Sequence, residues 1–119
     1  MRVCCTIPGK PMPCPRPRVD RGGVHYSDAY TNWMIAAKVL LRDACVKQNG
    51  GRLYTTPVVV NVIFANARKN ADIDNLSKSV LDALQGTVIE DDKQVHLLVA
   101  SKDRRMETET IVFVRPSRR

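Results

Sequence analysis

Hydrophobic and polar positions along the 119 residues change period several times, and each change marks an element. Val3, Cys5 and Ile7 alternate with Cys4 and Thr6, the period-two signature of a strand over residues 1–7. Further on, Tyr30, Trp33, Met34, Ala37, Leu40, Leu41 and Ala44 recur at three- and four-residue steps and predict an amphipathic helix to about Lys47. Ser27 suits its N-cap, Asp28 its first turn, and Asn49-Gly50-Gly51 its end. The β-branched run from Pro57 to Ala65 is nearly continuous, which predicts a central strand. Leu76, Val80, Ala83 and Leu84 then predict a second helix, from near Asp74 to about Leu84, ending at Gly86. Residues 93–102 alternate again as a third strand, and a fourth runs from Thr108 to Val114 beyond the charged turn Lys102-Asp103-Arg104-Arg105. The expected fold class is α+β: one small domain over residues 1–119, with a mixed sheet of about four strands packed against two main helices.

Between the first strand and the first helix the periodicity stops. Pro8, Pro11, Pro13, Pro15 and Pro17 exclude a helix and predict a stiff, extended segment over residues 8–18, within a loop over residues 8–26 that turns at Gly22-Gly23. Lys10, Arg16, Arg18 and Arg21 make that loop basic, so it reads either as a phosphate-gripping segment or as a plain linker or PxxP ligand. The basic residues 115–119 read as a frayed tail. Cys4, Cys5, Cys14 and Cys45 form no C-x-x-C pair and are expected as small buried or half-buried residues.

Charge sharpens the picture. Lys and Arg number 19 against 12 Asp and Glu, a net charge of +7, so an acidic partner is expected, nucleic acid before a membrane surface. No apolar run approaches a membrane span, and Met1–Ile7 is too short for a signal-peptide core, which predicts a cytoplasmic protein. Yet Asp72, Asp74, Asp82, Glu90, Asp91 and Asp92 concentrate half of the acidic residues in 21 positions. Crowded carboxylates raise one another's pKa and cost stability unless a cation lies between them.

Projected on a helix beginning at Asp74, Lys78 and Asp82 fall about 40° and 80° from it, opposite Leu76, Val80, Ala83 and Leu84. Asp72, in an extended entry, is expected to point the same way as Asp74. Oxygen donors without thiolate or clustered imidazole favour Mg²⁺ or Mn²⁺. Such an ion polarises a phosphate and lowers the pKa of a water, and Lys78 is placed to stabilise the anionic phosphorus centre. The plain readings are i,i+4 surface pairs at Asp74–Lys78 and Lys78–Asp82, and Asp74 as an N-cap. An EF-hand fails, because Ser77 stands where glycine is needed and Ala83 where glutamate is needed. No P-loop or dinucleotide fingerprint is present, and His25 and His96 have no partner pattern.

Asp72-Ile73-Asp74-Asn75-Leu76-x-Lys78, Leu81-Asp82-Ala83-Leu84-Gln85-Gly86 and Asp91-Asp92-x-Gln94-Val95 together resemble the RusA family of Holliday junction resolvases. The prolines and basic residues of Pro8–Arg18, and Lys102 closing the third strand, add to the likeness. The resemblance implies a homodimeric α+β endodeoxyribonuclease, phage- or prophage-associated, that makes paired Mg²⁺-dependent nicks in four-way junction DNA. Carried over by position, Asp72, Asp74 and Asp92 are the metal carboxylates and Lys78 the catalytic lysine. Asp91 supports Asp92 or shares the metal, and Asp82 stands behind them. Lys10, Arg16, Arg18, Arg68, Lys69, Lys102, Arg104 and Arg105 are the candidate DNA contacts. The alternative is a non-catalytic junction- or duplex-DNA-binding protein with a structural ion site. A membrane-surface protein lacks the basic amphipathic helix it needs.

Overall fold

A computed structural model describes residues 2–15 and 18–117, with the backbone alone for Arg18, Asp20, Val24 and His25. In chain order its elements are β1 (Val3–Pro8), β2 (Arg18–Asp20), β3 (Gly23–His25), α1 (Asp28–Asn49), β4 (Val58–Ala65), α2 (Ile73–Leu84), a 3₁₀ turn (Asp92–Gln94), β5 (Val95–Asp103) and β6 (Glu109–Pro116). Four strands form one mixed sheet in the order β1-β6-β4-β5. β4 runs parallel to β5 and antiparallel to β6, and β1 runs antiparallel to β6. The expected α+β class with two main helices is therefore found, and the β-branched run is indeed flanked on both sides.

Two parallel neighbours need a crossover, and α2 supplies it between β4 and β5. The chain then passes over the end of β4, so the last two strands are not neighbours. Asn66 holds that passage together. It takes a left-handed conformation (φ 60°), which asparagine tolerates better than most side chains. Its Nδ2 donates to Arg105 O at 2.8 Å and Glu107 O at 3.1 Å, and its Oδ1 accepts from Arg105 N at 3.1 Å.

Both helices lie on one face of the sheet. Val3, Cys5 and Ile7 of β1, Val60, Val62 and Phe64 of β4, and Val112 and Val114 of β6 meet Ala37 and Leu41 of α1 and Leu76, Val80, Ala83 and Leu84 of α2 in a single core. α1 starts at the expected cap: Ser27 Oγ accepts from Tyr30 N at 3.3 Å, and Gly50 closes the helix in the left-handed region. The Gln48 amide pins the end of α1 to the edge strand, accepting from Cys4 N at 2.7 Å and donating to Cys4 O at 2.8 Å. All four cysteines are free, three buried and Cys4 half-buried. Burial pushes the Cys5 thiol up to about 11, so it stays protonated and inert.

Four expectations need correcting. The loop over residues 8–26 is not wholly irregular, because β2 and β3 pair as a short hairpin across the expected glycine turn. The third strand of the sequence pattern begins at Val95, after the 3₁₀ turn, and reaches Asp103. Asp72, not Asp74, is the cap of α2. The tail is ordered to Ser117: β6 continues through Pro116, and Ser117 N donates to Pro57 O at 2.9 Å. Arg118 and Arg119 lie outside the described residues, as does Arg16.

Candidate active site

The site is built on the first two turns of α2, whose apolar side is anchored by Leu76, Val80, Ala83 and Leu84, each at most 1 % exposed. That anchoring leaves Asp74, Lys78 and Asp82 on the outer side, as the helical projection requires. At the helix entry the backbone of Asp72 is extended and its Oδ1 accepts from Asp74 N at 3.1 Å. One carboxylate oxygen thus satisfies a free helix donor and the other remains for a second partner.

Two neighbouring segments hold this entry. Lys102 Nζ donates to Lys69 O at 3.2 Å and Ala71 O at 2.7 Å, tying the incoming loop to β5. Expected as a phosphate contact, Lys102 has a structural job first, although a lysine has a third donor to give. From the other side Cys14 N donates to Asn75 O at 2.9 Å. Pro13 and Pro15 have no N–H, so Cys14 carries the one backbone donor of that triplet and sets where the Pro-rich segment docks.

Two adjoining clefts result, with Lys78 lining both. The first holds Asp72, Asn75, Arg68 and Cys14. The second holds Asp74, Asp82 and Asp92 over a floor that includes Leu98 and Ala100. Asp72 and Asp74 therefore do not share a cleft, as an extended entry had implied. A third cleft beside the site is lined by Lys69, Lys102 and Arg104. Arg105 is exposed in the turn clasped by Asn66, and Lys10 lies in the exposed loop after β1. For Arg18 only the backbone, in β2, is described.

Asp92 reaches the second cleft because the 3₁₀ turn is tightly held. Asp91 Oδ1 accepts from Lys93 N at 2.8 Å, and that bond holds its carboxyl below the usual range. Asp91 therefore acts as a cap beside the cleft that Asp92 lines. Gln94 uses both ends of its amide: Oε1 accepts from Glu90 N and Asp91 N at 2.9 and 2.8 Å, and Nε2 donates to Tyr54 O and Thr56 O at 2.7 and 3.0 Å. The glutamine of the Asp91-Asp92-x-Gln94 pattern thus fastens the turn to the approach to β4. Its positioning role is visible only once the two segments are seen side by side.

Asp82 has more weight here than its place behind the other carboxylates in the sequence implied. Burial pushes its carboxyl above the ordinary value; Lys78 opposes the shift, Asp92 adds to it, and Lys38 opposes it. Deeper still, burial and then a hydrogen bond with Cys14 push the Tyr30 hydroxyl well up, with Asp82 adding to the effect. A carboxyl with a raised folded pKa binds protons more readily folded than unfolded, so its stability contribution falls as pH rises above about 3.8. Asp82→Asn is therefore expected to stabilise the fold at pH 7 in metal-free buffer, by less than about 1 kcal/mol for a half-buried group. The gain should vanish at pH 3, a comparison that thermal melts across pH will check.

The donors fit a divalent cation of the magnesium class in kind: hard carboxylate oxygens, one of them with its charge disfavoured by burial and by a like-charged neighbour. Among the described residues, no three carboxylates, thiols or imidazoles converge closely enough to hold one ion. Nor is any helix among them long and apolar enough to cross a membrane.

Against this geometry, comparison with known families matches residues 8–115 to Endodeoxyribonuclease RusA. The chain belongs to the RusA family. No individually curated protein matches it. RusA membership supports a nuclease of the Holliday-junction-resolving type and, with it, junction DNA binding and a role in recombination and repair. It also suggests metal dependence.

Proposed function

We propose that this RusA-family chain is a Mg²⁺-dependent endonuclease, with Mn²⁺ as a substitute, that resolves four-way DNA junctions by paired nicks as a homodimer. The observation that carries the reading is Lys78 lining both clefts, with Asp72 on one side and Asp74, Asp82 and Asp92 on the other. Asp74 and Asp92, with Asp82 beside them in one cleft, would take the ion, and Asp72, in the adjoining cleft across Lys78, would close on it as the ion binds. When bound, the ion polarises the scissile phosphate and acidifies a water. Lys78 places a positive charge where the pentacoordinate phosphorus gathers negative charge. Arg68 lines the cleft of Asp72, and Lys69 and Arg104 line the third cleft, so they would grip the phosphates flanking the scissile bond. Lys10, Arg16, Arg18 and Arg105 would extend that grip along the arms.

Labelled four-way junctions and linear duplex, incubated with and without Mg²⁺, test the proposal. Paired nicks on the junction alone, with Mg²⁺ or Mn²⁺ required, are expected. Junction binding without nicking under either ion would replace the enzyme with the non-catalytic binder.

A further inference from the structure

The turn between β5 and β6 is held more firmly than its own packing explains. Arg104, Arg105, Met106, Glu107 and Thr108 are all exposed, so its tip rests on no core. Yet its backbone is fastened along its length. Asn66 N donates to Asp103 O at 2.8 Å at one end, and Gly9 N donates to Thr108 O at 3.0 Å at the other. Between them the Asn66 side chain accepts from Arg105 N and donates to Arg105 O and Glu107 O, with Thr108 Oγ1 a further acceptor at 3.3 Å. Met106 stands between the two clasped residues and is 99 % exposed. Single apolar side chains are ordinary on a protein surface. This one differs in having a fixed backbone and a cationic cleft beside it.

The turn adjoins the α2 site. Lys69, Lys102 and Arg104 line the third cleft alongside Asp103, and Lys102 Nζ lies 2.7 Å from Ala71 O, one residue before Asp72. Met106 follows Arg104 by two residues, at most about 7 Å of chain. Cations thus gather at the foot of the turn. Its tip carries the thioether and Glu107, whose charge repels a phosphate. Backbone phosphates therefore suit the foot, and a base suits the tip. We propose that Met106 inserts between base pairs at the branch point, beside the phosphate to be cut, and so separates a four-way junction from linear duplex. The inference rests on the junction-resolving function proposed above and adds the contact that selects the junction.

Selectivity follows from where the stack is already broken. Prising apart stacked pairs within a linear duplex carries an unstacking cost that the inserted side chain must repay. At a crossover the strands change partners and stacking is interrupted, so much of that cost is absent. Methionine suits such a gap, because its unbranched, polarisable chain adapts to whichever base faces it. A turn already held in place also loses little freedom on binding. Val19 is a second strongly exposed aliphatic in the basic part of the chain, but it sits in the separate two-stranded sheet, a unit of marginal stability by itself.

Four-way junctions labelled with 2-aminopurine beside the branch point report unstacking directly. The Asp74→Asn protein serves as the common background in Mg²⁺, read within seconds of mixing so that nicking does not intrude. It is expected to raise the fluorescence at least ~2-fold, with no response from the same label inside a linear duplex. Adding Met106→Ala should abolish the rise and weaken junction binding about 10-fold, leaving duplex binding within about 2-fold and the melting temperature unchanged. Adding Met106→Leu should keep the rise and the affinity, since an apolar side chain of similar volume remains. Adding Val39→Ala, at an exposed aliphatic of α1, should change neither. Binding that shows no preference for the junction over duplex would remove the resolvase reading and the wedge together. A clear preference with a silent label, a rise that survives Met106→Ala, a loss shared equally by duplex, or a rise lost with Met106→Leu or Val39→Ala would overturn the wedge alone.

Discussion

Asp74→Asn is expected to slow junction cleavage by roughly 10²–10³-fold, about 3–4 kcal/mol of transition-state stabilisation, while junction binding persists. The substitution is nearly isosteric and removes one charge and one anionic donor. It leaves the helix start alone, since Asp72 accepts the hydrogen bond from Asp74 N and the Asp74 side chain has no capping role. Removing a negative charge beside bound phosphates should, if anything, tighten binding. Cleavage and mobility-shift assays on the same labelled junction separate the two effects. An Asp74→Asn protein as active as the wild type would remove Asp74 from the chemistry and the second cleft from the mechanism. Asp72→Asn is an informative companion, because asparagine caps a helix as well as aspartate and any loss then reports on charge rather than on helix stability.

Leu76→Ala is expected to destabilise the protein by about 2–5 kcal/mol, a drop in melting temperature on the order of 10 °C. Leu76 is 0 % exposed and belongs to the core shared by α2 and the sheet. Truncating it leaves a cavity beneath the turn that carries Asp74 and Lys78. Its N–H donates to Asp72 O at 3.0 Å, so the cavity opens where the helix entry is fixed. Denaturant unfolding with an unchanged m-value gives the stability loss directly. A change of less than about 1 kcal/mol would mean that the site is not braced through this residue.

Much of this protein is legible in its sequence because the relevant physics is local. Ser27 caps α1 and Gly50 ends it, as side-chain chemistry and backbone freedom dictate within a few residues. The alternation of Val3, Cys5 and Ile7, and the helical spacing of Leu76, Val80, Ala83 and Leu84, each name a buried face through the geometry of a single element. The same spacing sets Asp74, Lys78 and Asp82 on the opposite face of α2. The clustering of Asp72, Asp74, Asp91 and Asp92, with the pattern that resembles RusA, likewise needs no tertiary contact to be seen.

What required the folded chain depends on contacts between distant segments. The proline run names no docking partner until Cys14 N meets Asn75 O, 61 positions on. Lys102 looks like any exposed cation until its ammonium is found holding the loop before α2. Asp91 and Asp92 are adjacent and chemically identical; only the 3₁₀ turn, fastened by Gln94, makes one a cap and leaves the other lining the cleft. The open face of the sheet is equally invisible in one dimension, since it exists only once β6 is inserted between β1 and β4. By itself, then, the sequence determined which residues are buried within each element, where the helices start and stop, and which carboxylates and lysine are grouped. Tertiary structure alone decided which of them share a cleft, because closing loops of tens of residues depends on the summed packing of the whole core rather than on any local preference.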